Sequence, residues 1–242
     1  MAKSTIKRRI DQRLEQNIPV AGLDLIQALN RIEVADVGVD FLYDNYTISK
    51  VFYKTGSRPK LEQIAARVTE NCTGELEKVW ALARFIPQEL PWAGVFTKKT
   101  GRALPSDRNM TEEQLLESGF AWCNEQARVF CALTQIIGIP SRLIFASSNA
   151  GWGHVTSEVL LASGWMLVDQ TMGFCFEKQG KPVRATDVYH DEQIRSYFAQ
   201  PYKQALLAVR DKIAESSNAG LLIAENPIDC FINIAVHNHF IF

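Results

Sequence analysis

Charge of one sign, long apolar runs and paired cysteine motifs are all missing from this sequence. Its 26 Lys and Arg balance 27 Asp and Glu, leaving a formal charge of −1 and a pI of about 6.4. A dedicated nucleic-acid binder ordinarily carries a basic excess, so nucleic acid is not an expected partner. No stretch approaches the ~18 consecutive apolar residues of a membrane span, so no membrane partner is expected. The start, MAKSTIKRRIDQRLEQ, is basic but has no apolar segment of the kind a secretory signal needs. The five cysteines, Cys72, Cys123, Cys131, Cys175 and Cys230, are odd in number and have neither CxxC nor finger spacing. That argues against a disulfide framework and a structural zinc site. These absences predict a cytoplasmic protein with reduced thiols, no metal and no cofactor.

What is present suits a folded enzyme. With 47% hydrophobic residues in 242, the chain can bury a core without covalent staples. Residues 3–16 read as an amphipathic helix with a cationic outer face, and Leu25–Ile32 as a second helical patch. Strand character follows near Phe41–Tyr46 and Val51–Tyr53. Leu61–Ile86 is helical with a break at Asn71–Gly74. Thr97–Asn109 is polar, cationic and loop-like. Thr111 to Gln114 fits a capping box for a short helix that Gly119 can close. A longer helix over Cys123–Ile137 ends at Gly138-Ile139-Pro140. Leu143–Ala146, Val155–Leu161 and Trp165–Asp169 read as strands, the last two joined through Ala162-Ser163-Gly164, a hairpin signal. Asp191–Phe198 and Tyr202–Ala214 are helical patterns, and the last twelve residues alternate like a strand. No repeat or linker divides the chain. The reading is a single domain over 1–242, its core at about 60–180, flanked by extensions over 1–50 and 185–242.

Among the cysteines, only Cys123 sits where a glycine-bearing loop enters an apolar-periodic helix. Free backbone N–H groups and the helix dipole favour a thiolate there. Cys72, at a helix break, and Cys131, Cys175 and Cys230 read as buried, inert thiols. Cys123, Ala127, Phe130, Thr134 and Ile137 follow one helical stripe, which predicts that the thiol faces the seam between helix and strands. Of the four histidines, His154 opens a strand after the loop Ser147–Gly153. If Ala162-Ser163 is the hairpin turn, Thr156 opposes Asp169, and His154 is its diagonal same-face neighbour. An imidazole can then lie between a thiol and a carboxylate, the nucleophile–base–orienter arrangement. His190 falls in a polar turn. His237 and His239 share a strand face, but no third metal ligand is near them in sequence.

The segment Glu117–Gly173 resembles the core of the transglutaminase-like family, within the papain-like cysteine enzymes. The residues that carry this are Gly119-Phe120-Ala121-Trp122-Cys123, Ala127, Leu133 and Gly138-Ile139-Pro140-Ser141-Arg142. Gly153-His154, Glu158-Val159 and Trp165 to Thr171 complete the pattern. The resemblance implies an α+β fold in which a nucleophile helix packs on an antiparallel sheet, with peripheral helices at both ends of the chain. It assigns Cys123 as nucleophile, His154 as base and Asp169 as orienter. Asp169-Gln170-Thr171 replaces the commoner Asp-Pro-Thr, and Arg142 reads as an anchor of the turn after the helix. Trp92 lies at the distance of the family's oxyanion tryptophan, with Trp122 as competitor. Trp152, beside flexible glycines, is a candidate for the substrate wall. The implied function is thiol-dependent acyl transfer on amides of a peptide or protein substrate, by hydrolysis or transamidation. A silent scaffold of the same fold is the alternative.

Overall fold

The computed structural model describes residues 53–93, 110–147, 153–213 and 233–238, all within one compact unit, Tyr53–Phe242. The expected helices over 3–16 and 25–32, the strand over 41–46, residues 51–52 of the strand over 51–53, and the loop over 97–109 lie outside them; Tyr53 itself is not in a strand.

Helix α1 (Pro59–Thr69) begins on a proline, whose missing N–H costs nothing at a helix start. It buries Leu61, Ala65 and Thr69 at intervals of four. Helix α2 (Glu75–Glu89) starts at Gly74, where Glu77 accepts hydrogen bonds from the Thr73 amide and hydroxyl. Helix α3 (Glu112–Ser118) has the expected capping box between Thr111 and Gln114, and Gly119 closes it at φ +73°. Helix α4 (Cys123–Ile136) is the central one. The nearly buried Glu112 joins three of these helices, accepting from Arg58 at the start of α1 and from Arg128 on α4.

Five strands follow in the order β4-β3-β2-β1-β7, every pair antiparallel. They are β1 (Ser141–Ser147), β2 (Gly153–Leu161), β3 (Gly164–Asp169), β4 (Phe174–Cys175) and, from the far end of the chain, β7 (Asn233–Asn238). A small hairpin of β5 (Glu177–Lys178) and β6 (Lys181–Pro182) leads to α5 (Ala185–His190) and α6 (Glu192–Ile213). Helices cover both faces of the sheet. Val159, Leu161, Met166 and Val168 pack with α1, α2 and α4, while Ile144, Ala146 and Leu167 pack with α5 and α6. The fold is therefore α+β, as expected, with helices on either side of one antiparallel sheet. No helix among the described residues is long and apolar enough to cross a membrane.

Three expectations about these elements need correction here. The two helical patterns near 191–214 are one helix, running through Pro201. A proline removes one hydrogen bond to the residue four before it, here the exposed Tyr197. Meanwhile Phe198, Tyr202 and Leu206 continue one buried stripe across the site. His190 ends α5 rather than lying in a turn, although its side chain is exposed. Arg142 anchors a strand and not the turn: it pairs across to the buried Glu158 at 2.8 and 2.5 Å and lies over the Trp165 ring at 3.9 Å. Glu158 also accepts from the Ala185 amide at the start of α5.

Candidate active site

Cys123 occupies the first turn of α4. The preceding Trp122 has extended backbone, and its amide donates to Glu125 at 2.8 Å, while its carbonyl accepts from Gln126. The thiol is half-buried and packs beside Ala127, Cys131, Leu143 and Val155. The stripe facing the strands thus runs 123-127-131, slightly rotated from the expected one. Phe130 turns instead into the core with α1 and α2.

The hairpin turn is Ala162-Ser163, because Leu161 pairs with Gly164. The ladder continues through Ser157 opposite Val168, which places Thr156 opposite Asp169 and His154 diagonal to it on the same face. His154 and Asp169 are 2.8 Å apart, Nε2 to Oδ2, and both are buried. With Nε2 taken, Nδ1 is the ring nitrogen left for Cys123, whose thiol hydrogen-bonds the imidazole. Trp92 and Trp122 meet edge to face, centroids 5.0 Å apart, Trp122 being the residue before Cys123 in the chain. They are brought together by a short bridge between Trp92 and Ala121. Trp152 and His239 lie outside the described residues. His237 is on β7, the edge strand.

The electrostatics favour charge separation. Burial pushes the Cys123 thiol up, but the hydrogen bond and charge of His154, with the Val155 amide, bring it below its ordinary value. Burial alone would lower His154, yet the Asp169 charge and its hydrogen bond, with Cys123, raise it to about 10. Asp169, despite its burial, is held low by the His154 charge and hydrogen bond and by donation from Tyr202 and the Met172 amide. The other thiols contrast. Cys131 is pushed up by burial to about 11, and Cys175 well above its usual value.

The turn after Asp169 holds these groups together in a way the sequence pattern does not reveal. Strand β3 ends at Asp169, so the next residue, Gln170, faces Val155 with its side chain instead of its backbone. Its amide nitrogen donates to the carbonyls of Val155 (2.9 Å) and Cys123 (3.3 Å), and its oxygen accepts from Ser157. Thr171 donates to Gln126 on α4 at 2.7 Å, and Gln126 in turn donates to the Leu90 carbonyl. The amides of Thr171 and Met172 donate to Asp169 Oδ1. Gly173, at φ +62°, lets this turn lie against α2, where a Cβ would stand 3.3 Å from the Arg84 backbone.

Residues 62–170 match the family model described as the transglutaminase-like superfamily. No curated protein matches. Solved structures with similarity include a protein from Cytophaga hutchinsonii provisionally named a cysteine protease, at 14% identity, 66% coverage of this chain and TM-score 0.41. Another, from Parabacteroides distasonis and provisionally named a protease, has 17% identity, 53% coverage and TM-score 0.33. A third, named a TGase, has 13% identity, 68% coverage and TM-score 0.38. This chain spans 47%, 29% and 50% of those chains respectively.

Proposed function

We propose that the protein, whose residues 62–170 match the transglutaminase-like superfamily model, is a thiol-dependent acyl-transfer enzyme acting on carboxamides of a peptide or protein. The observation that carries this is the buried contact of His154 with both Asp169 and the Cys123 thiol at a helix N-terminus. A proton moved from sulfur to imidazole leaves a thiolate–imidazolium pair, which Asp169 stabilises without itself taking the proton.

The thiolate attacks the carboxamide carbonyl, forming a C–S bond and a tetrahedral oxyanion. Collapse expels ammonia or an amine, which leaves with the proton carried by His154, and a thioester remains on Cys123. Water or a second amine then gives a proton to His154 and attacks the thioester, returning the thiol and releasing acid or new amide. The Cys123 backbone N–H, free at the helix start, is one oxyanion donor, and the indole of Trp92 or Trp122 supplies the second. Each such donor is worth ~3–4 kcal/mol in comparable sites.

Incubation with glutamine-containing peptides, acid quench and peptide mapping tests the reading. An acyl adduct on Cys123, with release of ammonia, is expected, and Cys123→Ala should show neither. Peptide binding without adduct or turnover would favour the silent scaffold instead.

A further inference from the structure

The functional reading leaves one buried group at the site without a part to play. Tyr202, on α6, lies outside the matched segment and donates its hydroxyl to Asp169 Oδ2 at 2.6 Å, the same oxygen that receives His154. Its ring is fixed on the far side by Phe174 and Phe176, at centroid distances of 5.7 and 5.6 Å. Both Tyr202 and Asp169 are buried, so water does not substitute cheaply for the bond. We infer that Tyr202 is a positioning residue: from the C-terminal helical layer it fixes the Asp169 carboxylate against His154, making α6 part of the reactive site.

The geometry of the carboxylate supports this. Oδ1 takes the two amides of the following turn, and Oδ2 takes the imidazole and the phenol. Four donors around two oxygens leave the carboxylate a single orientation. Without the phenol, Oδ2 keeps one donor, and the plane of the carboxylate is set by the turn alone. The other titratable groups near Asp169 are His154 on β2, Cys123 on α4 and Tyr189 on α5. Tyr189 hydrogen-bonds with Thr156, so it serves a different partner.

Electrostatics supply a readout that packing does not. A donor dipole on Asp169 makes the potential around the triad less negative. Its removal lets every group there hold a proton to higher pH. This inference rests on the proposed function, because it requires an activated thiol, and its test separates the two. Alkylation of Cys123 by iodoacetamide is followed from pH 4 to 9 in the full chain. The wild type should react with an acid limb well below that of a free thiol. In Tyr202→Phe the ring packing remains and the limb should move up by about half to one pH unit, so the rate at pH 6 falls ~3–10-fold. Phe198→Leu, in the same helix core, should lower thermal stability with the limb unmoved. A Tyr202→Phe limb that coincides with the wild type overturns the positioning role while leaving the function intact. A wild-type Cys123 no more reactive at pH 6 than an ordinary thiol overturns both.

Discussion

A free thiol is only a few per cent ionised at neutral pH, so reactivity depends on what surrounds the sulfur. Three differently placed thiols show the range. Cys131 donates to Ser157 at 3.7 Å in a fully buried seam and is pushed up, and Cys175, also buried, is pushed well above its usual value. Cys123, on the same helix as Cys131 and eight residues away, has an imidazole, a strand amide and a helix start around it. At pH 6, mass mapping should therefore find Cys123 alkylated far ahead of Cys131 and Cys175, and His154→Ala should abolish the lead. Similar rates at all three thiols would remove the case for a nucleophile. Asp169→Asn should keep the fold, since an amide fits the same turn, but lower kcat by roughly 10³–10⁴ through the wrong imidazole tautomer. Steady-state kinetics beside a circular-dichroism melt checks both halves of that expectation.

At the scale of elements, what was legible in the sequence were features written in local chemistry. The Thr111–Gln114 box, the break at Gly74 and the Ala162-Ser163 turn each depend on residues within one turn of each other. The hairpin register then followed by counting, and it brought His154 to Asp169. The contacts that bind the site into one unit are not local, and single residues do not announce them. Gln170 reads in sequence as a mild departure from proline, yet its side chain joins β2 to the carbonyl of Cys123. Tyr202 reads as one more member of a buried helical stripe, because periodicity reports burial and not where a hydroxyl points. Arg142 misled for the same reason, since its partners lie on two other strands. Gln170→Ala would leave the buried Val155 carbonyl and the Ser157 hydroxyl without this partner, and would take one donor from the part-buried Cys123 carbonyl. An unfolding free energy lower by about 2–4 kcal/mol is expected in urea titration. A loss below about 0.5 kcal/mol would show that neighbours or water replace the amide.

Over the whole molecule, the site leaves a signature in how stability depends on pH. Folding raises His154, so that group alone stabilises fully below its unfolded value near 6.5, and the contribution is lost as pH rises toward about 10. Folding lowers Cys123, so its contribution is complete above the unfolded thiol value near 8.5 and is lost as pH falls toward the folded one. Wherever the folded thiol is ionised, up to the unfolded thiol value near 8.5, the two cancel. The folded state keeps one proton on imidazole, and the unfolded state keeps one on sulfur, so neither binds more. Asp169 adds only an acid-side loss, as pH falls below its unfolded value near 4. The pair therefore contributes a flat top across neutral pH, falling away on both sides. Cys123→Ser removes the sulfur's proton from the count. While Asp169 keeps His154 charged, the folded variant then binds one proton more than its unfolded chain above pH 6.5. Its stability should fall with pH by up to ~1.4 kcal/mol per unit, where the wild type is level. Urea unfolding of both proteins at pH 6, 7 and 8 measures the difference in slope. Parallel curves would mean that the proton never leaves the sulfur in the resting protein.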